Sequence, residues 1–256
     1  MRDGYQGQVD GRWTSGEGRS GRGCFNGGME QRRAYWDDTH LYEVDTEVIA
    51  VCDVPTPGIA VREGIVHPKG GGQPDDIVTV DGGPVSVSKD DAAVWLHPEG
   101  DLPAVGESVH VAIDPEVRRR HAALHSAGHL LDACVVPLGF VNVGLSHAPG
   151  QAFLLYDVDG GTLPDGEEAK AALVETVLDR AREHVAAALP FGAEVDAEGV
   201  RRVTIEGLQT DPCGGTHVRT TADLTGIQIT RVRTKKGQLK LSYTAEHAWA
   251  SAMVGA

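Results

Sequence analysis

From Leu41 to about Ile113 the chain alternates between apolar and polar positions in short runs. LYEVDTEVIAVCDV partly alternates and is rich in β-branched residues, the pattern of a half-buried strand. GIAVREGIVHP, DIVTVDGGPVSVSKDDAAVWLHPEG and ESVHVAIDP continue in the same style. Turn signals stand at Asp81-Gly82 and across His97–Gly100. Many short strands cut by Gly and Pro turns predict a small β-barrel over residues 29–113.

At Asp114 the period changes. In DPEVRRRHAALHSAGHLLDACVV, Ala and Leu recur at helical spacing. Asp114 is a natural N-cap, Pro115 suits the first helical position, and Pro137 closes the run. A second helix is predicted from about Gly166 to Ala188, acidic at its start and basic later, as the helix dipole favours. AFLLYDV, RRVTIEG and GIQITRVRTKKGQLKLSYTAE read as strands. Residues 114–256 are therefore expected to form an α+β domain after the barrel, with the boundary near Asp114.

Composition changes this picture at the N-terminus. Residues 1–28 are rich in Gly, Arg and Ser and poor in aliphatics, too apolar-poor to offset their ordering entropy. They are expected to be a disordered tail, with Met29 as the translation start. Hydrophobic content of 41% supports a buried core elsewhere, and four scattered cysteines do not make a disulfide framework. With no secretory or membrane-spanning pattern, a cytoplasmic protein is expected. A net charge of −14 argues against a protein that coats DNA or RNA nonspecifically. It leaves room for a local basic face. Arg118, Arg119 and Arg120 are consecutive, and Arg231, Arg233, Lys235, Lys236 and Lys240 crowd one stretch. Each is either a solvated surface or a phosphate-tracking patch.

Three motifs carry candidate chemistry. His125 and His129 lie four apart in HSAGH, on the first predicted helix. Four residues turn a helix by about 400°, so both imidazoles share one face, where they either converge on one ion or are ordinary core or surface histidines. Cys213 and His217 flank two glycines in DPCGGTHV, whose freedom allows a backbone path that aims both side chains at one point. Three imidazoles and a thiolate suit Zn²⁺, either closing its tetrahedron or leaving a position for water. A HExxH protease is excluded because Ser126 stands where the Glu base would be. The third motif, HPKGGGQPDD, is a Gly-rich loop of the kind that approaches a ligand closely, or an ordinary turn. It is no P-loop, since no Gly-Lys-Ser/Thr follows.

In this order KGGGQPDD, HSAGHLLDA and PCGGTHVRTTADLTGI resemble the motifs of the AlaX family of alanyl-tRNA editing proteins and of the alanyl-tRNA synthetase editing domain. YWDDTHLYEVDTEVIAV is similar to an AlaX N-terminal strand region, so the resemblance runs from Tyr35 to Tyr243. It implies a β-barrel followed by a zinc-containing α+β editing domain. It implies hydrolysis of mischarged tRNA(Ala), chiefly Ser-tRNA(Ala) and secondarily Gly-tRNA(Ala). The implied zinc ligands are His125, His129, Cys213 and His217. The loop Gly70, Gly71, Gly72 and Gln73 is implied beside the substrate. Gln73 and Thr216 are candidates for orienting the seryl group, or are structural turn residues. Arg231, Arg233 and Lys235 are candidates for acceptor-stem phosphates. Two departures stand out: the family's HxxxH often reads HTATH, where this chain has Ser126 and Gly128. The competing classes are a noncatalytic, zinc-stabilised tRNA-binding module and a zinc hydrolase of small esters.

Overall fold

The structure is a computed structural model of the 256-residue chain. It describes residues 30–53 and 56–249, together with the backbone of Cys24–Asn26. The predicted tail at 1–28 lies outside the described residues, those three excepted. The chain divides into two compact units.

The first unit runs to Gly70 and resumes over Pro74–Arg119. Its elements are β1 (Cys24–Asn26), α1 (Ala34–Asp37), β2 (Glu43–Cys52), β3 (Gly58–Val61), β4 (Val78–Val80), β5 (Gly83–Lys89), β6 (Val94–His97) and β7 (Ser108–Ile113). The antiparallel order β2-β3-β6-β5-β4-β7 returns to β2. Six strands thus close into the barrel that the alternating pattern predicts, which leaves no free edge in that ring. Alternation is visible in β7, where Val109, Val111 and Ile113 are buried and the residues between them are not. They join Val48, Ile59, Val61, Val78, Val80 and Leu96 in one apolar core. Asp81 and Gly82 both have positive φ, 48° and 81°. That is the two-residue hairpin turn whose twist matches its strands. Cys52 on β2 is disulfide-bonded, while Cys134 and Cys213 are free.

One charge in this unit is not where the sequence suggested. Arg118 is fully buried, so the Arg118–Arg120 run is not a continuous basic surface. Its guanidinium makes a two-pronged ion pair with Asp76, Nε to Oδ1 at 3.0 Å and Nη2 to Oδ2 at 2.5 Å. It also donates to the carbonyls of Thr39 and Ile65 at 2.8 and 2.6 Å. Asp76 Oδ2 accepts from the His67 amide at 2.7 Å. Next to it, Arg119 donates to the Tyr42 hydroxyl and lies over its ring.

The helix α2 (Pro115–Val135) starts as predicted. Asp114 Oδ1 accepts from the amides of Glu116 and Val117 at 2.8 and 3.1 Å, which caps the helix. The second unit comprises Gly71–Gln73 and the chain from Arg120 onward. After α2 come β8 (Phe140–Ser146), β9 (Phe153–Val158), α3 (Gly166–Ala186), β10 (Phe191–Val195), β11 (Arg201–Ile205), β12 (Gln209–Pro212), β13 (Leu224–Lys235) and β14 (Gln238–His247). They form a four-stranded sheet, β13-β14-β9-β8, and a three-stranded one, β10-β11-β12. In β14 Leu239, Leu241, Tyr243 and Ala245 alternate into the core, meeting Leu130 and Leu131 of α2 and Val177 and Ala181 of α3. Strands β8, β10 and β12 have no counterpart in the sequence reading. The fold is α+β with a closed barrel. No helix among the described residues is long and apolar enough to cross a membrane.

Removing Asp76 would strand the buried Arg118 charge. Asp76→Ala is expected to lower stability by about 3–5 kcal/mol. Chemical denaturation of the full chain measures this; a loss under 1 kcal/mol would mean the pair is not holding the barrel unit together.

Candidate metal centre

Helix α2 carries His125 and His129 one turn apart, with ring centroids 5.1 Å apart and planes within 2°. The loop after β12 brings Cys213 and His217 to the same point. One donor atom from each of the four residues lies within 4.8 Å of the others. Cys213 Sγ is 3.3 Å from His125 Nε2 and 3.3 Å from His217 Nε2. His129 Nε2 is buried in the same cluster. Tetrahedral zinc, bonded at about 2.0–2.3 Å, separates its donors by roughly 3.5 Å.

The outward nitrogens are held too. Gln73 Oε1 accepts from the Thr216 amide at 3.1 Å, which fixes the orientation of its side-chain amide. The same oxygen lies 2.8 Å from His125 Nδ1, so that nitrogen carries the proton and Nε2 is bare. Gln73 Nε2 donates to Thr216 Oγ1 at 2.9 Å. His129 Nδ1 pairs with Asp211 at 3.1 Å, and Gln209 donates to the same carboxylate at 2.7 Å. His217 Nδ1 is 3.3 Å from Ser126 Oγ, which also accepts from the Val218 amide at 3.0 Å. Such outer contacts orient imidazole ligands and raise their basicity. The chemistry of the donor set and its support fit a zinc ion.

Charge accumulates in the same place. Burial disfavours the His129 imidazolium, yet hydrogen bonds to Asp211 and Cys213 and their charges outweigh it and raise the group to about 10. Burial likewise opposes ionisation of Cys213, but the hydrogen bond and charge of His129 bring its thiol below the ordinary value. A thiolate facing an imidazolium is a pair whose proton a metal ion displaces on binding.

The two glycines of DPCGGTHV have different tasks. A Cβ on Gly215 would lie 2.1 Å from His125 Cε1 and 2.2 Å from Nδ1, whereas one on Gly214 would meet nothing within 4 Å. Neither residue has a positive φ. Gly215 is therefore required for close approach of the loop to the helix rather than for a left-handed turn. Gly72 does have a positive φ, 77°, and a Cβ there would strike Leu145 at 2.4 Å. Gly71 is also positive at 55° but faces open space, and a Cβ on Gly70 would lie 2.6 Å from Lys89 Nζ.

Gln73 and Thr216 are both buried and bonded to each other and to the metal-ligand shell. Arg231, Arg233 and Lys235 alternate along β13, the strand that follows His217, with exposed side chains. Sequence reasoning missed Asp211, Arg201 and His147. Arg201 is buried on β11 and holds the loop by donating to the carbonyls of Cys213 and Gly215 at 3.0 and 2.9 Å. His147 is buried, with its ring stacked 4.2 Å from that of His125. Burial, then the charge of His129, hold it down at about 3.

Residues 200–240, which contain Cys213 and His217, match the family described as the Threonyl and Alanyl tRNA synthetase second additional domain. Alanyl-tRNA editing protein AlaX-M of Pyrococcus horikoshii is 29% identical over 84% of this chain and 98% of its own length. The chain is thus similar to alanyl-tRNA editing proteins of the AlaX family. AlaX-L of the same organism is 25% identical, covering 86% of this chain and 59% of AlaX-L. Aarsd1 of Danio rerio, also named an alanyl-tRNA editing protein, is 29% identical over 70% of this chain and 46% of its own length. The chain thus spans only about half the length of these two relatives. Within the AlaX motif HTATH, the position that is Gly128 here has no room for a side chain. A Cβ would lie 2.5 Å from His147 Cε1 and 2.7 Å from the Tyr243 hydroxyl.

Gly215→Ala is expected to cut bound zinc to well under half of one ion per chain after dialysis, while Gly214→Ala stays near the parent value. Metal analysis of the purified variants reads the difference, and equal zinc in both would refute the close-approach role.

Proposed function

We propose that the chain is a trans-editing hydrolase that cleaves the aminoacyl ester of mischarged tRNA(Ala), chiefly Ser-tRNA(Ala) and secondarily Gly-tRNA(Ala). One observation carries the reading. Three histidines and one cysteine converge on one point with their outer nitrogens held, in a chain similar to alanyl-tRNA editing proteins. In the reaction, water adds to the ester carbonyl and the bond to the ribose oxygen breaks. The products are the free amino acid and tRNA with its terminal hydroxyl restored.

His125, His129, Cys213 and His217 would hold Zn²⁺. When bound, zinc supplies Lewis acidity for an ester carbonyl or lowers the pKa of a water toward about 7. The protein's own groups do the rest. Gln73 keeps the proton of His125 on Nδ1, and Thr216 keeps the Gln73 amide turned the right way. We assign both as positioning residues in the buried wall of the site. Asp211 does the same for His129. A charged-tRNA substrate places the work in the cytoplasm, where the reducing environment would open the Cys52 disulfide.

The nucleic acid would lie along the outward face of the four-stranded sheet. Arg231, Arg233 and Lys235 stand on that face of β13, and Lys240 pairs with Arg233 across the ladder. Lys240 Nζ sits 3.4 Å from the centre of the Phe153 ring on β9, so cationic and aromatic groups are interleaved there. Such a row tracks phosphates without reading bases, despite the chain's overall negative charge.

Two measurements test this reading. Incubation with Ser-tRNA(Ala) and Ala-tRNA(Ala), with and without a chelator, is expected to give selective loss of serine that the chelator abolishes. Binding without turnover would instead identify a noncatalytic module, and turnover of small esters alone would identify a different hydrolase. Reversing Arg231, Arg233 and Lys235 to Glu is expected to weaken tRNA binding and reduce the slope of log affinity against log salt by about 2–3. An unchanged slope removes the row from the interface.

A further inference from the structure

A fourth histidine lies against the candidate metal centre, and the four-donor set leaves it unused. His147 follows β8, is 1% exposed, and stacks on His125 with centroids 4.2 Å apart and planes 18° apart. Its Nδ1 is 2.6 Å from the Tyr243 hydroxyl. That hydroxyl is also 3.0 Å from the Leu124 carbonyl oxygen. The carbonyl can only accept, so Tyr243 spends its one proton there and must accept from His147. The proton of His147 is therefore on Nδ1, and Nε2 presents a bare lone pair.

That lone pair is buried and has no hydrogen-bond partner among the described residues. A buried acceptor left unpaired is costly, and each such atom requires an explanation. Nε2 is bonded to Cδ2 and Cε1. Cδ2 would lie 3.2 Å from a Cβ on Gly72 of the Gly-rich loop, so that position carries no side chain able to satisfy the acceptor. Gly128 of HSAGH lies on the other edge of the ring, where a Cβ would meet Cε1 at 2.5 Å and Nδ1 at 2.7 Å. We infer that His147 Nε2 accepts a hydrogen bond from the side-chain hydroxyl of a seryl group held at the metal centre, making His147 a residue that determines specificity for serine.

The inference rests on the editing function proposed above. Glycine offers no hydroxyl, so His147 should matter for seryl substrates and not for glycyl ones. His147→Asn keeps an N–H near the Nδ1 position for Tyr243 and removes the Nε2 acceptor. In the full chain it is expected to lower kcat/KM for Ser-tRNA(Ala) about ten-fold or more. Gly-tRNA(Ala) deacylation and zinc per chain should be unchanged. An equal fall on both substrates, no fall on either, or a fall that follows zinc loss overturns the inference. Should His147→Asn fail to fold, Tyr243→Phe frees the tautomer and should lower the Ser-to-Gly ratio of kcat/KM; a ratio that stays put counts against the role. If the parent chain turns over neither substrate, the editing reading has failed separately. Affinities of non-hydrolysable seryl and glycyl amides of 3′-amino-3′-deoxyadenosine then decide, and a ratio that His147→Asn leaves unchanged overturns the assignment.

Discussion

An imidazole offers Nε2 to a metal only while its proton is kept elsewhere, and that constraint organises the second unit. Gln73 and Asp211 hold two outer nitrogens, and Ser126 faces the third. Each support reaches its histidine from a different segment: a loop before the helix, a strand after it, and the helix itself. The support for Ser126 is reciprocal, since its oxygen also accepts from Val218, the residue after His217. The cost of the arrangement is a cluster of buried polar groups that must all be paired at once.

The elements that were legible in the sequence are those with strong local signals. The Asp-Pro start of α2, the alternation of β7 and β14, and the Asp81-Gly82 turn all work through neighbours in the chain. β10 and β12 were not legible because they have no apolar face to announce them. FGAEV is mostly exposed, and QTDP is polar and ends in proline. β8 alternates the wrong way round for such a reading, with Val141, Val143 and Leu145 on its exposed side and Asn142, Gly144 and Ser146 half-buried. At the site, the four convergent donors could be read from spacing because each pair lies on one local segment. Their supports could not, because the contacts close over long loops. Gln73 and His125 are separated by 52 residues, His129 and Asp211 by 82, and His147 and Tyr243 by 96.

Charge was the weakest guide. Arg118 stands in a run of three arginines that reads as surface, yet it is sealed beside Asp76 with two backbone carbonyls on its remaining donors. Helical geometry explains the difference: consecutive residues point about 100° apart, so a run of like charges spreads around the axis. In β13 the period is two, so alternate cations do share a face. The same density of basic residues therefore means a dispersed set in one element and a row in the other.

The path of the Gly-rich loop has a consequence for how this protein can change over time. The chain leaves the barrel unit for only three residues, Gly71–Gln73, and then returns to it. Those three residues include the acceptor that sets the proton of His125. Neither half of the gene encodes the complete centre. Recombination near Asp114, however clean it looks by composition, would pass on four ligands without the group that orients the first of them. The barrel and the two donor motifs are thereby bound to a shared inheritance by a single glutamine.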